Sequence, residues 1–171
     1  CSIEAAREPD KQKQSEHLFK EGKICQEHLQ DEDRAKEAYN ASLQLNPDHY
    51  QARVTLALLL DQQWEFDEAV VHLTKANEIA VPEDKNAIVR ALVRALPHVN
   101  EYKQALELIN GLLENEPNDI EIIKQGIAIA TKLNDYETQI KLLESAAEFY
   151  LVKDDNAQLA DTLAQLVTIS V

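Results

Sequence analysis

Apolar residues recur three or four positions apart along most of the chain, which is the spacing that places side chains on one face of an α-helix. In the segment FDEAVVHLTKANEIA this spacing connects Phe66, Ala69, Val70, Leu73, Ala76 and Ile79. The preceding segment, HYQARVTLALLLDQQ, has an apolar face of its own, and a short turn around Trp64 separates the two. The pattern predicts a pair of amphipathic helices. The second helix should end at Pro82, because proline lacks a backbone N–H.

This helix pair is one copy of a unit that occurs four times. The copies align on anchor residues separated by 34, 36 and 34 positions, namely Ala35, Ala69, Ala105 and Gln139. Seven positions beyond the anchors lie Ser42, Ala76, Leu112 and Ala146. Three prolines recur every 35 positions, at Pro47, Pro82 and Pro117. Small residues in register indicate places where two helices cross closely, because a large side chain would hold the backbones apart.

A helix–turn–helix unit of about 34 residues resembles the tetratricopeptide repeat (TPR). The family's pattern has an aromatic residue, Leu-Gly and Tyr in the first helix, and Ala, an aromatic residue and a closing Pro in the second. In the third copy the residues in register are Leu92, Leu96, Tyr102, Ala105, Ile109 and Pro117. The fourth copy departs most, because Gln139 replaces the anchor alanine and no proline closes it. The resemblance covers residues 16–152.

The resemblance implies an all-α fold, a right-handed helical solenoid of about four repeats. We place these repeats at residues 15–47, 48–84, 85–117 and 118–152. Residues 1–14 are expected to form a polar N-terminal tether. Residues 153–171 contain one more amphipathic helix, which either caps the array or begins a fifth repeat. Asp48 and Asp84 are candidate N-cap residues for the helices that follow them.

Charge and hydropathy narrow the classes of function. The chain of 171 residues has 31 acidic and 17 basic side chains and a formal net charge of −14. This balance argues against binding to nucleic acid or to anionic lipid headgroups, since both depend on Lys and Arg. No apolar run approaches the roughly 18 to 20 residues of a transmembrane helix.

The first residue suggests a cellular location. The sequence contains no methionine and opens on Cys1, followed by a polar stretch. A bacterial lipoprotein looks like this after removal of its signal peptide, with an acylated cysteine first. That interpretation makes Cys1 a lipidation site and places the protein at the bacterial cell envelope, on the periplasmic side. The alternative is a fragment that happens to start at a cysteine, which would leave a cytoplasmic location open.

The sequence does not predict an enzyme, a cofactor or a metal site. The five histidines are scattered and form no H-E-x-x-H pair or Cys/His cluster. Neither a G-x-S-x-G elbow nor a glycine-rich phosphate loop occurs, and the chain has only three glycines.

In TPR proteins the first helices of successive repeats line a concave face, and the resemblance therefore implies a partner-binding groove. The candidates in the second to fourth copies are Val54, Leu58, Asp61, Arg90, Arg94 and Lys124, and those in the first copy are Lys20 and Lys23. One hypothesis is that the basic residues hold carboxylates of a partner peptide, while Val54 and Leu58 offer an apolar seat. The alternative is that the arginines pair with acids such as Asp61 and Glu121 and only keep the face soluble.

These observations predict a non-catalytic scaffold or adaptor that binds a protein or peptide partner. A role in assembling a bacterial envelope complex is the more specific hypothesis. The alternatives are a cytoplasmic scaffold or co-chaperone fragment, and a self-associating module that packs its last helix on a second copy.

Overall fold

The structure is a computed structural model, which describes the backbone of residues 2–169 and the side chains of residues 10–169. Within this range the chain forms nine α-helices and no strand. Their bounds are α1 Ser2–Ile24, α2 Glu32–Leu45, α3 Tyr50–Gln62, α4 Phe66–Ile79, α5 Pro82–Ala95, α6 Tyr102–Asn115, α7 Ile120–Leu133, α8 Tyr136–Val152 and α9 Asn156–Ile169. A π-helical turn, Cys25–Leu29, extends α1, and a 3₁₀ helix, Leu96–Val99, extends α5.

Two sequence-based predictions concern the ends of the chain, namely lipidation at Cys1 and a polar tether at residues 1–14. The candidate lipidation site, Cys1, lies outside the described residues, as does Val171. Helix α1 begins at Ser2 and so runs through the segment predicted as a tether, of which residues 10–14 are exposed. The boundaries of the tether and of the repeats stay predictions. No helix among the described residues is long and apolar enough to cross a membrane.

The chain divides into two compact units, Cys1–Ala95 and Leu96–Val171. In the first unit the anchor residues Ala35 and Ala69 are fully buried. Close packing is also visible at Gly22, where an added Cβ would lie 2.6 Å from the ring of Tyr39. Ser15 and Ser42 join α1 to α2, since each hydroxyl lies 2.9 Å from the other and also donates to the other's backbone carbonyl. Small residues thus mark the helix crossings of this unit.

The second unit repeats this packing with other side chains. Its anchor Ala105 is fully buried, and Gln139, which takes the alanine position in the fourth copy, is also buried. At Gly126 an added Cβ would lie 2.7 Å from Leu142 Cδ1. Ile123, Leu142, Ala146 and Tyr150 form the core here, and Leu159 of α9 packs against them.

The turns inside the helix pairs share one geometry. Each contains a residue in the left-handed region, namely Gln30, Trp64, Asn100 or Asn134, and the turn from α8 to α9 contains another, Asp154. The next residue is acidic in every case, and its N–H closes the turn. Glu65 donates to Leu60, Glu101 to Leu96, Asp135 to Ala130 and Asp155 to Tyr150, each five residues back. This pattern satisfies carbonyls at the helix C-terminus, as in the Schellman motif. In the first pair, Asp31 donates to Cys25, six residues back.

The turns between pairs are different, and they correct two expected caps. In the turn Asn46–His49 the N–H of His49 donates to the Asn46 carbonyl, and the turn Glu116–Asp119 has the corresponding bond. The prediction that Asp48 caps α3 was wrong, because His49 Nδ1 accepts the Ala52 N–H at 3.3 Å. Asp84 is not a cap either. It lies in the first turn of α5, which begins at Pro82, and α4 already ends at Ile79. Pro82 therefore occupies the first helical position, where its missing N–H costs no hydrogen bond.

Candidate partner-binding groove

The candidate residues predicted from the sequence lie on first helices, as expected, but in both units. Val54, Leu58 and Asp61 are on α3, and Arg90 and Arg94 are on α5. These five belong to the first unit, whereas Lys124 is on α7 in the second.

Arg94 and Asp61 form an ion pair between α5 and α3. Nη2 of Arg94 lies 2.5 Å from Oδ2 of Asp61. The two side chains differ in exposure, at 56% for Arg94 and 10% for Asp61. The other carboxylate oxygen, Oδ1, is buried and has no hydrogen-bond partner among the described residues. This is the contact expected if the arginines pair with neighbouring acids of the chain. A partner's carboxylate would therefore have to compete with Asp61 for Arg94.

Arg90 lies one turn before Arg94 on α5. Its Nε donates to Asn86 Oδ1 at 2.8 Å, within the same helix. Lys124 is also engaged by neighbours in its own unit. Its Nζ lies 3.7 Å from Glu121 Oε1 and 6.0 Å from the centre of the Tyr150 ring. Both contacts of Lys124 involve an exposed ammonium group, and such contacts are individually weak.

The first unit contains a groove lined by α1, α3 and α5, which are the first helices of three successive pairs. It has a volume of about 380 Å³, and its lining residues are Phe19 and Lys23 of α1, Tyr50, Gln51, Val54 and Thr55 of α3, and Asp84, Ala87 and Ile88 of α5. We call this cavity the α1–α3–α5 groove. Phe19, Val54 and Ile88 give it apolar walls. This is the face that the resemblance assigned to partner binding.

A hydrogen bond crosses one side of the α1–α3–α5 groove. The Tyr50 hydroxyl donates to Asp84 Oδ2 at 3.0 Å and so joins α3 to α5. Burial raises the pKa of Tyr50, and the bond to Asp84 raises it further. The phenol therefore stays protonated and holds this contact throughout the physiological pH range. This side of the groove is therefore already bridged before any partner arrives.

A second cavity of about 760 Å³ adjoins the groove and shares Tyr50 and Gln51 with it. Its other lining residues are mostly polar and come from α1 and from the turn before α3: Gln12, Lys13, Glu16, His17, Lys20, Asn46, Asp48 and His49. We call it the polar annex. Polar and apolar surface thus follow one another along α1 and α3.

His49 fixes the boundary between the polar annex and the α1–α3–α5 groove. Its ring lies 5.0 Å from the ring of Phe19, measured between centroids, and its Nε2 lies 3.1 Å from Glu16 Oε2. Burial opposes ionisation of Glu16, but hydrogen bonds from Lys20 and His49 outweigh it and lower the pKa of Glu16. The carboxylate is therefore charged at neutral pH. The wall of the annex is held by an ionic hydrogen bond on one side and an aromatic contact on the other.

The groove only partly matches the residues chosen from the sequence. Val54 and Lys23 line it, and Lys20 lines the polar annex. Leu58 is one turn further along α3 and is 41% exposed, while Arg90, Arg94 and Asp61 line neither cavity. Sequence reasoning missed Phe19, Tyr50, His49 and Ile88. Their periodicity marks them as apolar-face or turn residues, and no sequence signal separates groove residues from core residues.

Among the described side chains, residues 10–169, no three His, Cys, Asp or Glu residues come together as a metal site would require.

No protein-family model and no curated protein sequence matches the chain. Solved structures do. A TPR protein from Parabacteroides merdae aligns with a TM-score of 0.69 and 17% identity, over 92% of this chain and 60% of its own. MamA of strain AMB-1 aligns with a TM-score of 0.69 and 20% identity, over 85% and 76%. YrrB, described as a TPR protein with an unusual peptide-binding site, aligns with a TM-score of 0.63 and 15% identity, over 89% and 84%.

These similarities establish the fold. The chain is an all-α helical solenoid of the TPR type, and the fold class predicted from the sequence is confirmed.

Proposed function

We propose that the chain is a non-catalytic adaptor that binds a segment of a partner protein in the α1–α3–α5 groove. The observation that carries the proposal is the groove itself. It joins the first helices of three successive pairs, and Phe19, Val54 and Ile88 offer it apolar surface. A pocket with apolar walls and a few fixed polar groups is the usual form of a binding site.

Preorganisation supports this assignment. Without a ligand, the Tyr50–Asp84 bond already bridges one side of the groove, and the His49–Glu16 bond bridges the wall of the adjoining polar annex. A preformed rim lowers the entropic cost of association, because fewer side chains must be ordered on binding.

We further propose that the partner segment carries acidic groups next to an apolar side chain. Lys20 lines the polar annex and Lys23 lines the groove. Both are paired within their own helix, with Glu16 at 3.3 Å and Glu27 at 3.2 Å. Exposed pairs of this kind contribute little, about 0 to 1 kcal/mol, so a partner's carboxylate can compete for these ammonium groups. Arg90 and Arg94 in the first unit remain proposed contacts for acidic groups of a partner, and so, separately, does Lys124 in the second unit.

The described site in YrrB gives a precedent for the class of ligand. That protein is described as having a peptide-binding site, and it shares the fold of this chain. A peptide-like ligand is therefore our choice for the groove.

Site-specific photo-crosslinking tests this function. A photoreactive amino acid at Gln51, which is exposed and lines both cavities, should crosslink one defined protein in cells of the source organism. The matched control places the same amino acid at Lys75, which is exposed on α4. Crosslinking of the same proteins from both positions, or of none from Gln51, would refute the groove as a binding site.

For location, we propose lipid anchoring through Cys1 and a role in assembling an envelope complex. The support is the sequence alone, a cysteine followed by a polar stretch. The alternative is a cytoplasmic scaffold or co-chaperone fragment. The mass of the N-terminal peptide from native protein separates them, because a diacylglycerol or triacyl adduct on Cys1 requires the envelope. A peptide that extends upstream of Cys1 or lacks the adduct would contradict the anchor.

A further inference from the structure

Helix α9 has two apolar faces, and only one of them is covered. Leu159 packs against the core of the second unit, Thr162 is buried, and Leu166 and Ile169 on the same face are half-buried. This face lies against α8. One apolar face is all that a helix needs in order to cap the end of an array.

The second apolar face of α9 is exposed. Successive residues of an α-helix are rotated by about 100°, which brings Ala160, Leu163, Ala164 and Val167 together on one side. We call these four residues the α9 stripe. Leu163 is 48% exposed and Val167 is 66% exposed, and both alanines are exposed as well. The four exposed apolar residues therefore lie side by side on one face of the helix.

The α9 stripe also lacks charge. The whole helix contains a single charged residue, Asp161, although the chain carries 48 charged side chains in 171 residues. By helical rotation Asp161 falls with Gln158, Gln165 and Thr168 on the polar side. The stripe is therefore a neutral surface on a chain of net charge −14.

The connection to α9 does not suit another repeat stacked in the same way. Between pairs, the turns Asn46–His49 and Glu116–Asp119 have Pro47 or Pro117 in second position, and the third connection, Ala80–Val81, is shorter; none of the three contains a left-handed residue. The turn into α9 has instead the geometry found inside pairs, with Asp154 left-handed and Asp155 N–H bonded to Tyr150. Helix α9 is thus connected to α8 in the way that the second helix of a pair is connected to the first. This observation favours the capping interpretation over a fifth repeat.

We propose that the α9 stripe is the interface through which two copies of this chain associate. Two copies, each of charge −14, repel over most of their surfaces, so they meet most favourably where neither carries charge. A basic partner would be drawn to the acidic surfaces instead. The stripe also fits itself, because small and large residues alternate along it. In an antiparallel pair related by a two-fold axis, Leu163 of each copy lies over Ala160 and Ala164 of the other.

The expected dimer is weak. A helix of 14 residues is about 21 Å long, and a single pair of such helices buries less than the roughly 1,200 Å² of a standard interface. Interfaces of this size belong to the weak, transient class, so we expect the dimer to dissociate on dilution. The interface is independent of the α1–α3–α5 groove, and its test does not depend on that function.

Sedimentation equilibrium of the full chain over a wide range of concentration tests the proposal. The wild type should shift from monomer to dimer, and the variant Leu163→Glu/Val167→Glu should stay monomeric. The matched control, Gln158→Glu/Gln165→Glu, adds the same charge to the polar side of α9 and should still dimerise. Three results would overturn the proposal: a monomeric wild type at every concentration, a dimer that survives the stripe variant, or equal loss in the control.

Disulfide trapping gives a second measurement that does not depend on a charged substitution. Ala164 lies near the expected two-fold axis, whereas Gln165 points to the polar side. In a chain with Cys1→Ser and Cys25→Ala, the variant Ala164→Cys should form a covalent dimer faster than Gln165→Cys under mild oxidation. Equal rates would contradict the interface.

Discussion

The Asp61 carboxylate is nearly buried, while the Arg94 guanidinium that neutralises it remains more than half exposed, with 2.5 Å between Oδ2 and Nη2. The pair connects α3 to α5 across 33 residues of sequence. Its asymmetry means that the two partners do not contribute equally to stability. A solvated arginine loses little without its acid, whereas a buried carboxylate left without its cation has neither solvation nor charge compensation.

The first prediction follows from this asymmetry. Arg94→Ala should lower the free energy of unfolding by about 1 to 2 kcal/mol, less than for a fully buried pair because Arg94 is exposed to screening solvent. Urea unfolding followed by circular dichroism measures the change. Adding Asp61→Asn to Arg94→Ala should recover part of the loss, since the neutral amide needs no cation. Wild-type stability in Arg94→Ala would show that the carboxylate is solvated.

The second prediction concerns two glycines in different surroundings. A Cβ at Gly22 would lie 2.6 Å from the Tyr39 ring, whereas nothing lies within 4 Å of one at Gly111. Gly22→Ala should therefore destabilise the protein by about 1 to 3 kcal/mol through overpacking. Gly111→Ala, in the exposed part of α6, should stabilise it by up to about 1 kcal/mol through helix propensity. Thermal unfolding of the two variants gives opposite shifts if this is correct, and two shifts of the same sign would contradict it.

The repeat was predictable because packing constraints recur with the sequence period. Ala35, Ala69 and Ala105 are small at a fixed spacing, and all three are fully buried. Gln139 breaks the pattern in sequence yet takes the same buried position, because its helix is held by the neighbouring apolar residues. Periodicity therefore determines the fold class even where one copy departs from it.

The groove was only partly predictable. Periodicity identifies the apolar face of a helix, but how far apart three helices lie depends on how successive pairs pack. Phe19 and Ile88 thus look like core residues in the sequence, although they also line a cavity. The Asp61–Arg94 contact was named only as one alternative, since a charge pair 33 residues apart depends on the rotation of α3 and α5 about their axes.

The third prediction is a loss of stability at acidic pH that depends on His72. Burial lowers the pKa of His72, and the positive charges of Arg53 and Lys75 lower it further. The unfolded chain therefore takes up the proton at a higher pH than the folded chain does. Stability from this group is fully present above about pH 6.5, the unperturbed value, and is lost as pH falls through the lower folded pKa.

Unfolding free energies at about pH 7.5 and about pH 5.5 test this, on either side of the ordinary histidine pKa. His72→Gln should reduce the difference between the two values. His28→Gln, at an exposed position, is the matched control and should leave the difference unchanged. An undiminished difference in His72→Gln would mean that other groups control the acid sensitivity.

The fourth prediction tests the groove with the partner that Gln51 crosslinks. Val54→Glu places a charge among the apolar side chains Phe19 and Ile88, so the affinity for that partner should fall about tenfold or more, equivalent to at least about 1.4 kcal/mol. Val71→Glu makes the same change on α4, where Val71 is 54% exposed, and affinity should stay within about twofold. Isothermal titration measures both, and circular dichroism verifies that both variants fold. An equal loss of affinity in both variants would show a general effect of the added charge. Unchanged affinity in both variants would show that the partner binds outside the groove. A selective loss in Val54→Glu is the result that the apolar walls of the groove require.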